Sequence, residues 1–231
     1  MASVKVGFPL ILVNFKTYRE AMGKAAVSLA IAAGDVADRT GVCVAVAPQA
    51  VDIRMVVEAS DVPVFAQHVD PVGHGQFTGH MLPEAFADAG CAGTLINHSE
   101  HRLEMQAIET TIKRAKEAKL LPVVCVDTVE RGRAVAPFKP DVIAIEPPEL
   151  IGSGTSVSKA RPEVVSGAVE AVKGLEPWIR VLCGAGITSG SDASSALNLG
   201  AEGVLVASGV VKAKNPREAL MDLADAMLSA S

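Results

Sequence analysis

Short runs of apolar residues, each bounded by turn-forming or polar residues, recur at 9–13, 42–47, 62–66, 93–96, 121–126, 142–145, 180–183 and 203–206, which makes eight candidate strands. The runs are continuous and do not alternate, as expected of strands covered on both faces. Most intervals between them carry helical spacing. It is clearest where Val164, Val165, Ala168, Val169 and Val172 follow Pro162, and where Leu220, Leu223, Ala224, Met227 and Leu228 follow a capping Asn215 and Pro216. Gly174 and Gly200 read as helix stops. The interval from Val126 to Asp141 is brief, so the helix between the fifth and sixth strands is expected to be shortened. Repeated strand and helix units with no room for a second core predict one α/β domain over residues 1–231, a closed (β/α)8 barrel. An open doubly wound sheet satisfies the same alternation.

Composition sharpens this picture. The chain is 49% hydrophobic but only 3% aromatic, an aliphatic balance that suits a parallel sheet buried under helices. No stretch reaches the roughly 20 uninterrupted apolar residues of a spanning helix, and residues 1–15 lack the form of a signal peptide, so a cytoplasmic protein is expected. The net charge of −5 is spread without blocks, which gives neither nucleic acid nor an anionic membrane a broad surface to bind. An anionic substrate would therefore need local cations. Cys43, Cys91, Cys125 and Cys183 are widely spaced, with no Cys-x-x-Cys pair, and are expected to be reduced thiols that hold no metal.

A barrel gathers its chemistry at the carboxyl ends of its strands. Asn14 and Lys16 follow the first run, Gln67 and His68 the third, residues 97–100 the fourth, Glu146 the sixth, residues 184–186 the seventh and residues 207–209 the eighth. Glu146 ends an apolar run and precedes Pro147 and Pro148, which suits a base on a stiff backbone; an exposed turn glutamate is the plainer alternative. Residues 149–156 are mostly small and fit a loop closing over a ligand. His98 stands where a strand meets a helix whose apolar face starts at Leu103, so a helix amino terminus would favour a neutral ring that donates to a carbonyl; a structural histidine is the alternative. Lys16 could meet a phosphate or an oxyanion, or be a solvated surface charge. The glycine-containing segments 184–190 and 206–209 match the phosphate cradle of many barrels, although ordinary tight turns look similar. His68, His74, His80 and His101 lack metal-ligand spacing and read as surface or interface residues.

Taken together, Val13-Asn14-Phe15-Lys16, Ala66-Gln67, Gln76-Phe77-Thr78-Gly79, Asn97-His98-Ser99-Glu100, the run from Ile145-Glu146-Pro147-Pro148 to Gly154 and the two glycine-containing tail loops resemble the triosephosphate isomerases, specifically their short archaeal-type branch. The resemblance covers nearly the whole chain. It implies a glycolytic and gluconeogenic isomerase that interconverts dihydroxyacetone phosphate and glyceraldehyde 3-phosphate through an enediol or enediolate, without a cofactor, as a homodimer or homotetramer. It places the base at Glu146, the electrophile at His98 and the cationic anchor at Lys16. Asn14 becomes a supporting amide and Glu100 an acidic partner. Phosphate contacts fall to Ile151 and Gly152 in the lid, to Gly186, and to Ala207 with Ser208.

The chain also departs from the longer family members. Gly186 and Ala207-Ser208 replace their Ser and Gly-Gly, a change that backbone donors tolerate. The lid carries Glu149 and lacks their tryptophan, while Thr128 stands where their partnering glutamate would be, so a different latch is expected. His80 and His101 replace a charged pair across the family's dimer contact, which implies a repacked contact around Phe77 and Thr78. Another phosphate-binding barrel enzyme would explain the tail loops but not the set of Lys16, His98 and Glu146. A catalytically silent binder would keep the pocket without turnover.

Overall fold

A computed structural model of the chain describes residues 5–147, 150 and 156–230. In chain order these form β1 (Leu10–Asn14), α1 (Lys24–Thr40), β2 (Cys43–Ala47), α2 (Ile53–Ala59), β3 (Phe65–Ala66), α3 (Pro83–Asp88), β4 (Gly93–Ile96), α4 (Met105–Glu117), β5 (Leu121–Val126) and α5 (Val129–Val135). The second half continues with β6 (Val142–Ile145), α6 (Val157–Ala160), α7 (Pro162–Lys173), β7 (Arg180–Cys183), α8 (Gly190–Asn198), β8 (Gly203–Val206), α9 (Ser208–Val211) and α10 (Pro216–Leu228). The strands are all parallel, in the order β2-β1-β8-β7-β6-β5-β4-β3. A single parallel bridge between Val46 and Val64 joins the two edges, so the sheet is a nearly closed (β/α)8 barrel. The open doubly wound alternative does not apply.

Alternate strand residues serve two different cores. Leu10, Leu12, Ala45, Ala47, Phe65, Leu95, Val123, Cys125, Val142, Ala144, Leu182 and Leu205 fill the barrel interior. Their neighbours, including Ile11, Val13, Val44, Val46, Val124, Ile143, Val181 and Val204, pack outward under the helices. With both faces buried, neither parity can be polar, which is why the runs read as continuous. Each large aliphatic side chain removed from water contributes on the order of 1.5–3 kcal/mol before the entropy of ordering is charged against it. Phe65 is the bulky interior residue. A Cβ on Gly93 would lie 2.3 Å from its ring, so this glycine makes room for the aromatic.

The apolar runs at β4 to β8 coincide with the strands, whereas β3 is cut to Phe65–Ala66. Pro63 has no N–H for a ladder; only its carbonyl is used, accepting from Val46 N at 3.0 Å. The helix signals also hold. Pro162 and Pro216 occupy first-turn positions of α7 and α10, and Asn215 Oδ1 accepts from Glu218 N. Gly200 turns the chain at φ +92°. Gly174 instead caps α7 at φ −66°, donating to Glu170 O, so that stop does not use glycine's left-handed freedom. The link from β5 to β6 carries the short α5, as expected. Among the described residues no helix is long and apolar enough to cross a membrane.

Candidate active site

The end of β1 fixes the lysine. Asn14 is buried, and its Oδ1 accepts the N–H of Lys16 at 2.9 Å. This Asx-type turn holds Lys16 at φ +47°, a left-handed backbone that costs a non-glycine residue roughly 1–2 kcal/mol. Gln67, just after β3, meets that cost by donating from Nε2 to both Lys16 O and Ala47 O at 2.9 Å. The lysine side chain is only 9% exposed, and its Nζ lies 2.8 Å from Glu100 Oε1. Gln67 was legible only as a polar residue after a strand; its positioning role appears with the geometry.

At the end of β4, buried Asn97 takes φ +60° and spans the neighbouring strand and the following loop. Its Nδ2 donates to Cys125 O, and its Oδ1 accepts from Leu103 N, both at 2.8 Å. That turn delivers His98 to the pocket. The helix expected beside His98 begins at Met105 instead, after a tight turn in which His101 N donates to His98 O at 2.7 Å. The ring is therefore oriented by a single backbone group and not by a helix terminus. Glu100 N–H donates to His98 Nδ1 at 3.2 Å, which leaves the ring proton on Nε2. This nitrogen lies 3.7 Å from Glu146 Oε2.

Glu146 follows β6, with its N–H donated to Val126 O at 2.7 Å. The carboxylate is buried at 6% exposure, and its Oε2 has no hydrogen-bond partner among the described residues. Gly184, after β7, is what lets it sit there: a Cβ at that position would lie 2.4 Å from Glu146 Cγ and 2.8 Å from Oε1. Beneath it, burial pushes the Cys125 thiol well above its ordinary pKa, and the adjacent, hydrogen-bonded Glu146 carboxylate pushes it further. All four cysteines are free, and no group of metal-binding side chains occurs among the described residues.

Opposite these side chains the wall is backbone. Ala185 and Gly186 take φ of +69° and +70°, and with Ile187 and Thr188 they face Ala207 and Ser208 across the pocket that Asn14, Lys16, His98 and Glu146 also line. The N–H groups of Gly186 and Ile187 have no acceptor among the described residues. Gly209 lets the two turns touch, since a Cβ there would lie 2.7 Å from Ile187 O. Tyr18, not singled out from the sequence, also lines this end, with Lys212 Nζ 4.2 Å from its ring centroid.

The structure therefore brings Lys16, His98, Glu146, Asn14, Gly186, Ala207 and Ser208 into one pocket at the carboxyl ends of the strands, with Glu100 at its edge. Ile151 and Gly152, and with them Glu149 and most of the expected lid, lie outside the described residues. Thr128 caps α5, accepting from Arg131 N at 3.1 Å. The His68 and His101 rings stack at 4.2 Å, and His80 lies edge-on to Phe77 and 3.4 Å from Asp70.

A family model described as triosephosphate isomerase matches residues 9–227. The triosephosphate isomerase of Methanothermobacter thermautotrophicus is 54% identical over 215 residues, covering 93% of this chain and 94% of its own length. That of Methanocaldococcus jannaschii is 52% identical over 214 residues, covering 93% and 98%. The crystal structure of the triosephosphate isomerase from Bartonella henselae superposes with a TM-score of 0.75 over 94% of this chain and 98% of that one, at 18% identity, a likeness of fold.

Proposed function

Because the chain belongs to the triosephosphate isomerase family, we propose that it interconverts dihydroxyacetone phosphate and D-glyceraldehyde 3-phosphate at the pocket shared by Glu146, His98 and Lys16. One observation carries the assignment of roles. A buried carboxylate oxygen without a partner among the described residues faces a histidine Nε2 at 3.7 Å, with a lysine on the same wall, so a substrate carbon and its carbonyl oxygen can take contacts that those residues leave unmade.

In this reading Glu146 Oε2 removes a proton from the carbon next to the carbonyl. His98, with its proton on Nε2, donates to the carbonyl oxygen, and the Lys16 ammonium stabilises the negative charge that develops there. Glu146 then returns the proton to the neighbouring carbon, and the hydroxyl proton is redistributed between the two oxygens. Asn14 supports the lysine, and Glu100 orients both the lysine and, through its backbone N–H, the imidazole. The phosphate is held by backbone N–H groups at Gly186 and at Ala207 with Ser208, joined by Ile151 and Gly152 from the lid. The reaction as written calls on the protein's own groups alone. With the family come a role in glycolysis and gluconeogenesis, a cytoplasmic location, and a homodimer or homotetramer joined through the surface around Phe77.

A coupled assay of glyceraldehyde 3-phosphate conversion tests this. Wild type turns over, Glu146→Asp lowers kcat by at least about 10²-fold because a shortened base misplaces its oxygen, and Glu146→Gln lowers it by about 10²–10⁴-fold. Binding of the triose phosphate without turnover by the wild type would point to a silent binder, and undiminished turnover in Glu146→Gln would remove Glu146 from the chemistry.

A further inference from the structure

Behind the pocket, touching none of the groups assigned to proton transfer, lies a second buried carboxylate. Asp192, in the first turn of α8, is 4% exposed. Its two oxygens serve different segments. Oδ2 accepts from the backbone N–H groups of Thr188 and Ser189, both at 3.0 Å, and from their hydroxyls at 3.3 and 2.9 Å. Oδ1 accepts from the Ser156 hydroxyl at 2.9 Å and lies 2.7 Å from Lys159 Nζ.

Two further contacts run between the same segments. Ser158 Oγ donates to Asp192 O at 3.0 Å, and Val157 N–H donates to Ala185 O at 3.2 Å. Burial alone would raise this carboxyl pKa, yet Lys159, the Thr188 N–H and the serine hydroxyls hold it well below the usual carboxylate range.

A helix cap explains only part of this. A capping box needs Asp192 to accept from Ser189 N while Ser189 caps in return, and both bonds are present. The bonds to Thr188, Ser156 and Lys159 do nothing for α8. They tie the turn that carries Ala185, Gly186, Ile187 and Thr188 along the pocket wall to α6, and the turn's N–H groups at Gly186 and Ile187, without an acceptor among the described residues, directly precede the clamped Thr188. Ala185 holds a left-handed backbone, which costs a non-glycine residue and is offset by support from outside the turn.

We infer that Asp192 is a positioning residue for anion recognition: its carboxylate clamps the 185–189 turn against α6 so that the Gly186 and Ile187 N–H groups are arranged before the substrate phosphate arrives. The inference deepens the isomerase reading and rests on it for the identity of the anion. Preorganisation of this kind acts on binding of the phosphate, whereas a residue serving the proton transfer acts on turnover.

The test compares wild type with Asp192→Asn in the full chain. The amide can keep one acceptor for the turn but sets an NH₂ group against donors and leaves Lys159 without its anion. KM for glyceraldehyde 3-phosphate and the calorimetric Kd for inorganic phosphate are both expected to rise at least about tenfold, with kcat at saturation falling less than about threefold. For glyceraldehyde, which lacks the phosphate, kcat/KM is expected to stay within about twofold of wild type; a merely structural role would depress both substrates alike. Should Asp192→Asn fail to fold, Ser156→Ala combined with Lys159→Met removes only the Oδ1 arm and is expected to raise the phosphate Kd about threefold or more. An unchanged phosphate Kd in whichever variant folds, or equal losses on the two aldehydes, overturns the inference. If wild type binds inorganic phosphate but does not isomerise, the isomerase reading fails, while a weakened Kd in the variant still upholds the clamp.

Discussion

The two walls of the pocket are built by opposite means. On one, Lys16, His98 and Glu146 are side chains at strand ends, each aimed by a specific hydrogen bond: the Asn14 amide under Lys16, the Glu100 N–H on the His98 ring, the Val126 carbonyl on the Glu146 N–H. On the other, the contact surface is backbone, shaped by left-handed residues at 185 and 186, by the close approach at Gly209 and by the Asp192 clamp. In the proposed reaction, side chains suit the reacting end, because proton transfer needs titratable and charged groups, and backbone N–H groups suit the phosphate end, where the charge is already present and needs fixed donors. The two ends should therefore fail differently, one in turnover and the other in binding.

Gly184→Ala gives the sharpest separation after loss of the base itself. The added methyl would lie 2.4 Å from Glu146 Cγ, a contact that a flexible carboxylate arm relieves by moving. The fold survives while the base is displaced, and a displacement of about 1 Å is enough to lower kcat by roughly 10²-fold. Calorimetry should find inorganic phosphate bound within about threefold of wild type. A weakened phosphate contact of the same size as the kcat loss would show that the two walls are not independent.

The reacting wall was the more legible in the sequence, for a physical reason. Charged residues at the ends of continuous apolar runs are conspicuous, and the parity of a barrel strand sends them to one mouth. What holds them was hidden, because the partners come from other strands: Gln67 from beyond β3 for Lys16, and Gly184 from beyond β7 for Glu146. Leu103 misled the reading of the His98 loop. It packs against the core as an apolar residue should, but Asn97 Oδ1 takes its N–H, so α4 starts only at Met105. On the phosphate wall the glycines advertised the turn, whereas nothing in the sequence singled out Asp192, because its bonds to Ser156 and Lys159 depend on how α6 packs.

Gln67→Ala probes whether the reacting wall depends on these hidden partners. It deletes two hydrogen bonds, to Lys16 O and Ala47 O, and leaves the left-handed Lys16 backbone held by Asn14 alone. Each bond contributes about 1 kcal/mol, so stability falls by roughly 1–3 kcal/mol in denaturant titrations. The lysine loses part of its fixed position, and kcat/KM falls about tenfold. Full activity in a destabilised variant would mean that Asn14 alone suffices to aim the ammonium.

The smallest effect is expected at Thr128, at the end of β5 next to the reacting wall. Its Oγ1 is occupied as the cap of α5 by Arg131 N at 3.1 Å, and that bond accounts for its presence without any part in turnover. Thr128→Ala should cost about 1 kcal/mol through the lost cap, or about 2–4 °C in Tm by calorimetry. kcat and KM should stay within about threefold of wild type. A kcat loss of tenfold or more would instead make Thr128 a latch for the lid, and closure over the phosphate would then be governed from the reacting wall.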